Sequence, residues 1–262
     1  MDLGFKEKHV LVTGGSRGIG LACVKGFLAE GARVSFVSRR RDSVQAALKS
    51  LRAEGLPCSG FDVDLTAPQA AIDIVERVES ECGPIDVLVN SAGAAQKIPY
   101  DEINAHAWHA AMQAKFFAYV HVTDPMLQRM GARGHGVIIN VVGMGGKVAR
   151  ATHLPGGAAN AALMLATAGL AAAWAPRGIR INAVNPGATQ TERLDQLMEV
   201  QARADGVSQD EALRQAVTSI PMGRLAKPDE IANVVMFLAS PRASYVSGAI
   251  VSVDAAASPV VV

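Results

Sequence analysis

Short apolar, β-branched runs alternate along this chain with longer stretches in which apolar positions recur every three to four residues. That alternation is the pattern of β-α-β units assembled into a parallel sheet. The strand candidates are HVLVT (9–13), RVSFVS (33–38), CSGFDVD (58–64), IDVLVNSAG (85–93), GVIINVV (136–142), IRINAVNPG (179–187) and AIVSVD (249–254). Helical periodicity occupies 18–30, 42–54, 68–82, 102–131, 155–175 and 228–240. The segment 188–226 breaks the rhythm. It is polar, helical in part, and expected to lie as a lid over the carboxyl edge of the sheet. No repeat or low-complexity linker divides the chain, so 1–262 reads as a single domain. The pattern predicts an α/β fold: a doubly wound parallel sheet of about seven strands with helices on both faces and a cleft where the strand order reverses.

Composition narrows the partners. Of 262 residues, half are hydrophobic, and the formal net charge is +1. Nucleic-acid binding calls for a clustered basic face, and the one basic cluster, Arg39 to Arg41, is short and sits where a strand ends. Cys23, Cys58 and Cys82 are odd in number and lack metal-ligand spacing, which suits a reducing cytosol and predicts no metal site. The first residues, MDLGFKEKHVLV, lack the apolar core of a signal peptide. The most apolar run, Ala161 to Ala175, is shorter than the ~20 residues that span a bilayer. A cytoplasmic protein that does not enter the membrane is expected.

The stretch VLVTGGSRGIG places Gly14, Gly18 and Gly20 directly after a strand and at the start of a helix. Glycines there allow a tight turn and a close approach to a pyrophosphate, whose charge the helix N-terminus favours. An acidic side chain at the end of the second strand would bind the ribose hydroxyls of NAD; this chain has Ser38, Arg39 and Arg40 instead, with Arg17 in the glycine turn. Guanidinium groups suit a 2′-phosphate, so NADP(H) is favoured. Asp42, further along, keeps NAD(H) open.

The blocks TGGSRGIG, DLTAP (64–68), IDVLVNSAG, APRGIRINAVNPG and GRLAKPDEIA resemble, in order and over nearly the whole chain, the short-chain dehydrogenase/reductase family. The resemblance implies a Rossmann-like domain, a nicotinamide cofactor, a small-molecule substrate and a homodimer or homotetramer. It further implies Gly14, Ser16, Arg17, Gly18, Ile19 and Gly20 around the pyrophosphate and 2′-phosphate. Asp64 and Leu65 would flank the adenine, Asn90, Ala92 and Gly93 the ribose, and Pro186, Gly187 and Thr189 the nicotinamide end. Asn90 could equally stabilise the central strand.

Members of that family use a Tyr as proton donor or acceptor, a Lys four residues later, a Ser after the fifth strand and an Asn on the preceding helix. Counting back from APRGIRINAVNPG puts the Tyr at Gly156 and the Lys at Asn160; the Ser falls on Gly143 and the Asn on Lys115. All four departures fall on the catalytic set, while the cofactor blocks stay largely intact. Lys115 and Asn160 look exchanged, so the Lys115 ammonium could fill the space of the missing Lys. His153, three residues before Gly156, is the second candidate for acid–base work, because imidazole titrates near neutrality. Lys147 is similarly placed. The last residues, VDAAASPVVV, have Ala255 and Ala256 where the family commonly has glycines, with little expected consequence beyond altered packing. The favoured reading is an NADP(H)-dependent oxidoreductase with a non-standard proton donor, acting on a small, apolar carbonyl or alcohol. The alternatives are a catalytically inactive NADP(H)-binding module, acting as sensor or oligomer partner, and a lyase or isomerase using the same pocket.

Overall fold

The computed structural model describes residues 2–93 and 97–260, apart from the side chains of 193, 195 and 196. Seven strands form one sheet: β1 (His9–Thr13), β2 (Arg33–Ser38), β3 (Ser59–Asp62), β4 (Val87–Asn90), β5 (Gly136–Val141), β6 (Ile179–Pro186) and β7 (Ile250–Val253). Every pairing is parallel, in the order β3-β2-β1-β4-β5-β6-β7. The chain runs outward from β1 to β3, returns to β4 on the other side of β1, and runs outward again. The carboxyl ends of β1 and β4 therefore border the crevice that opens where the winding reverses.

The helices are α1 (Gly18–Ala29), α2 (Arg41–Ala53), α3 (Pro68–Cys82), α4 (Ala105–Ala111), α5 (Ala118–Arg133), α6 (Leu154–Trp174), α7 (Glu192–Asp205), α8 (Gln209–Thr218) and α9 (Pro228–Ala239). One apolar layer joins Val24 and Phe27 of α1, Val44 and Leu51 of α2 and Ile231 and Val235 of α9 to one face of the sheet. The opposite layer joins Ile74 and Val78 of α3 and Val122, Met126 and Met130 of α5 to the other. Burying both faces is what makes the central strands continuous apolar runs.

Strands β1 and β2 match the expected bounds, whereas β3 and β4 are shorter because only four residues of each find a ladder partner. The long helix expected over 102–131 is two helices joined by a π-helical turn, Met112–Phe117. Hydrophobic periodicity does not register such a turn, and a neighbouring backbone sits against it. Gly93, at φ +85°, lies so near the turn that a β-carbon there would be 1.9 Å from the Ala114 carbonyl oxygen. The segment 188–226 contains α7 and α8 packed on each other.

The expectation that the apolar run is too short for a bilayer needs correction. With its flanking turns the helix covers Ala151–Arg177, long and apolar enough to cross a membrane by length and composition. Its inner face, through Ala159, Leu163, Met164, Thr167 and Ala171, is buried against the rest of the fold.

Candidate functional site

The glycine turn is built by close backbone approach. Gly14, at φ +69°, donates its N–H to the Val37 carbonyl at 2.7 Å, and a β-carbon on it would lie 2.8 Å from Ala92 Cα. Gly20 sits at the start of α1 so close to the Gly14 carbonyl that a β-carbon would be 2.2 Å from its oxygen. No larger residue fits either position without moving main chain. Thr13, fully buried, accepts hydrogen bonds from the N–H groups of Ser91 and Ala92 at 3.0 and 3.1 Å, which ties the end of β4 to this turn. Ile19 is packed into the core beneath α1.

Helix α1 starts without a side-chain cap and without an acidic residue in its first turn, an arrangement open to an anion. At the end of β2, the Ser38 hydroxyl donates to the Ser16 hydroxyl at 2.8 Å and accepts from the Ser16 N–H at 3.3 Å. Arg39 and Arg40 are exposed beside it. Arg17, also exposed, pairs with Glu192 of α7 at 3.5 Å.

Asp64 accepts from the Thr66 N–H and hydroxyl at 3.0 and 2.7 Å. Partial burial opposes its ionisation, but those bonds and the nearby Arg39 charge outweigh it and hold the carboxyl below its usual range. Leu65 is buried, and its carbonyl accepts from Nδ1 of His121 at 3.0 Å. Asn90 is wholly buried: its amide donates to the Thr123 hydroxyl and to Asn140 Oδ1, both at 3.0 Å, and Asn140 donates to the Thr167 hydroxyl at 2.9 Å. This polar chain pins β4 to β5, α5 and α6.

Two of the substituted positions, Gly143 and Asn160, face each other across a narrow gap. Gly143 lies where β5 ends, and a β-carbon on it would meet the Asn160 amide nitrogen at 3.1 Å. Gly156 and Asn160 are both buried on α6. The loop after Gly143 sits flat on that helix: a β-carbon at Gly157 would lie 2.8 Å from the Gly145 carbonyl oxygen, and one at Gly145 would lie 2.8 Å from the His153 ring. Small residues on both sides make this contact possible.

Lys115 lies in the π-helical turn and is nine-tenths buried. Its ammonium donates to the Tyr119 hydroxyl at 2.7 Å and to the Val141 carbonyl at 2.9 Å, and the Tyr119 hydroxyl also donates to Val141, at 2.7 Å. Lys147 instead reaches β7, donating to the Ile250 carbonyl and the Ser252 hydroxyl, each at 3.2 Å. Two residues to which the sequence assigned no role belong to this region. One is Tyr119, whose spacing of four from Lys115 was a usable signal. The other is Asn185, whose amide donates to the Val142 carbonyl at 2.7 Å and holds the end of β5.

Beyond β6, Gly187 donates its N–H to the Val253 carbonyl at 2.9 Å, and the Thr189 hydroxyl donates to the Gly187 carbonyl at 3.0 Å. Thr189 forms a parallel bridge with Ala226, closing the base of the 188–226 segment. A pocket of about 250 Å³ opens between that base and the carboxyl-terminal strand, lined in part by Ile220, Met222, Arg224 and Ala255. Ala255 and Ala256 have φ of +55° and +60°, the left-handed conformation that glycine adopts more easily.

A family model described as enoyl-(acyl carrier protein) reductase matches residues 14–257. Gluconate 5-dehydrogenase of Gluconobacter oxydans is 33% identical over 246 residues, 94% of this chain and 93% of that protein. Among solved structures, L-sorbose reductase from Gluconobacter frateurii in complex with NADPH and L-sorbose covers the whole of both chains, with a TM-score of 0.91 at 30% identity. An NAD+-bound xylitol dehydrogenase has a TM-score of 0.91 at 26% identity, covering 95% of this chain and 98% of that one.

Proposed function

This chain belongs to the short-chain dehydrogenase/reductase family of oxidoreductases, and we propose that it binds NADP(H) and interconverts a small, apolar carbonyl compound and its alcohol. The observation that carries the cofactor reading is the intact glycine cradle beside a β2 end that bears Arg39 and Arg40 and no carboxylate. The NADPH complex of the L-sorbose reductase supports the same choice. When bound, the nicotinamide supplies a hydride to a carbonyl carbon or accepts one from an alcohol.

The chain's own residues do the rest. The open first turn of α1 receives pyrophosphate charge, with Ser16, Gly18, Ile19 and Gly20 shaping the turn. Arg17, Ser38, Arg39 and Arg40 meet the 2′-phosphate; Asp64 and Leu65 border the adenine; Ala92 and Gly93 border the ribose. Asn90 acts through the strands it joins. Pro186, Gly187 and Thr189 line the nicotinamide end. The segment 188–226 serves as the substrate lid, and Gly143, Met144 and Leu154 leave an apolar space for the substrate.

Reduction also needs a proton on the substrate oxygen, and oxidation needs one removed. Positioned transfer is worth ~10²–10⁴ in rate. We assign that role to His153, which is part-exposed on the loop entering α6, with Asn160 orienting the reacting group. Lys115, turned to Tyr119 and Val141, acts as a positioning residue that holds the end of β5. The exposed face of α6, with Ala158, Ala161, Leu165 and Ala172, supports a homodimer or homotetramer.

Calorimetric titration with NADPH and NADH, followed by a carbonyl and alcohol screen read by nicotinamide absorbance, tests the proposal. Tighter binding of NADPH and turnover of an apolar substrate are expected. Turnover should vanish in His153→Asn while NADPH affinity persists. Binding without turnover across a broad screen would favour the inactive binding module instead. No binding of either nucleotide would overturn both.

A further inference from the structure

The lid reaches the phosphate end of the cleft through a contact that cofactor binding has no need of. The Arg17 guanidinium, just ahead of α1, pairs at 3.5 Å with Glu192, the first residue of α7. Beside it, a β-carbon on Gly18 would sit 3.4 Å from the Thr191 methyl group, so the start of the lid lies directly over the start of α1. The base of the lid is fixed by the bridge between Thr189 and Ala226, and α7 begins just beyond it, at Glu192.

We propose that Glu192 is a specificity-setting residue, a carboxylate that occupies Arg17 until a 2′-phosphate displaces it, so that binding of the phosphorylated dinucleotide releases α7 from the glycine turn. The inference rests on the reading of Arg17 as a 2′-phosphate ligand given above. A guanidinium makes stronger, paired hydrogen bonds to a phosphate dianion than to one carboxylate at 3.5 Å, so the exchange runs toward the phosphate. Glu192 is not stranded by it, because a carboxylate in the first turn of α7 interacts favourably with that helix's own dipole. NADH has no 2′-phosphate and leaves the latch closed. The two cofactors therefore leave the contact between Arg17 and Glu192 in different states.

Both groups of the pair are mostly exposed, and exposed pairs are weak, so the competition is modest: removing it should tighten NADPH by about two- to five-fold. The test is calorimetric titration of NADPH and NADH into the wild-type protein, Glu192→Gln, Glu192→Asp, Arg17→Gln and the Arg17→Gln, Glu192→Gln double variant, each checked for folding by a thermal melt. Glu192→Gln is expected to tighten NADPH and leave NADH unchanged. Glu192→Asp keeps the charge and should behave as wild type. Arg17→Gln should weaken NADPH, and adding Glu192→Gln to it should then change nothing. Equal shifts for both nucleotides in Glu192→Gln, or no shift in either, would overturn the latch while leaving cofactor binding intact. A wild-type protein that binds neither nucleotide would overturn the cofactor reading, and the latch with it.

Discussion

The Lys115 ammonium lies 2.7 Å from the Tyr119 hydroxyl, and both donate to the Val141 carbonyl, so an ammonium from the π-helical turn and a phenol from the first turn of α5 converge on the last residue of β5. Both side chains are buried, where charge-assisted bonds are strongest and an abandoned partner is most costly. Tyr119→Phe should therefore destabilise the fold by about 1–3 kcal/mol, and Lys115→Met by a comparable amount. Because each depends on the other, the double variant should lose at least about 1 kcal/mol less than the sum of the singles. Urea unfolding of the four proteins measures this, and strict additivity would mean the two groups act separately. NADPH affinity of Tyr119→Phe should stay within about twofold of wild type, as expected of a group that acts through β5.

Histidine 9 gives the fold an acid-sensitive point far from the cleft. It is fully buried at the start of β1, with Nδ1 at 2.7 Å from the Gly83 carbonyl and Nε2 at 2.9 Å from the Ser35 hydroxyl. The Gly83 carbonyl can only accept, so Nδ1 carries the proton and Nε2 accepts from Ser35. Burial, with a smaller contribution from Arg33, pushes the imidazole pKa below 6.5 against the opposing pull of Gly83 and Asp86. The unfolded chain then binds the proton more readily than the folded one. Stability is unaffected well above the unfolded pKa and falls as pH drops below it, by up to about 1.4 kcal/mol per pH unit until the folded pKa is reached. Thermal melts of wild type and His9→Gln between about pH 7.5 and pH 5 should show a shallower acid loss in the variant, although it begins less stable. Parallel curves would remove His9 as the cause.

Ala255 and Ala256 are strained where the sequence comparison predicts only altered packing. Each holds a φ near +60°, a conformation that costs an L-residue roughly 1–2 kcal/mol. Replacement by glycine relieves that strain but adds conformational freedom to the unfolded chain, which takes back about 0.4–1 kcal/mol. Ala255→Gly and Ala256→Gly should each be neutral to about 1 kcal/mol more stable, measured by chemical unfolding. A loss of stability in either would mean that its methyl group is well packed in the pocket it lines.

The strand segments, the doubly wound sheet and the glycine cradle were legible because each leaves a periodic or spaced signal in the chain. The π-helical turn was not, since it inserts no break in the run from Ala105 to Arg133 and its nearest backbone neighbour, Gly93, lies on a different element. The contact of Arg17 with Glu192 was hidden for a similar reason: the two are far apart in the chain, and only the fold brings the start of α7 onto the start of α1. Lys115 shows the limit most sharply. Its position follows from family spacing, and the spacing of four hints at Tyr119, but the distant Val141 carbonyl that completes its direction leaves no mark in the linear pattern.

The loop from Gly143 to Gly146 sets where His153 lies, and its glycines are not equivalent. A β-carbon at Gly143 meets only the Asn160 amide, the movable end of a side chain, at 3.1 Å. One at Gly146 meets the Met164 methyl at 2.0 Å and the Ala161 main-chain nitrogen at 2.7 Å, and one at Gly157 meets the Gly145 carbonyl oxygen at 2.8 Å. Methionine can turn aside, but α6 cannot, so the loop must lift from the helix. Gly143→Ala should be tolerated within about 1 kcal/mol, whereas Gly146→Ala and Gly157→Ala should each cost about 1–3 kcal/mol. Because Gly145 packs on the His153 ring, a lifted loop frees that ring. With a substrate identified, the two costly variants should therefore lose kcat while KM and NADPH affinity change little. Wild-type kcat in both would mean that the loop does not place the proton donor, and would move the assignment away from His153.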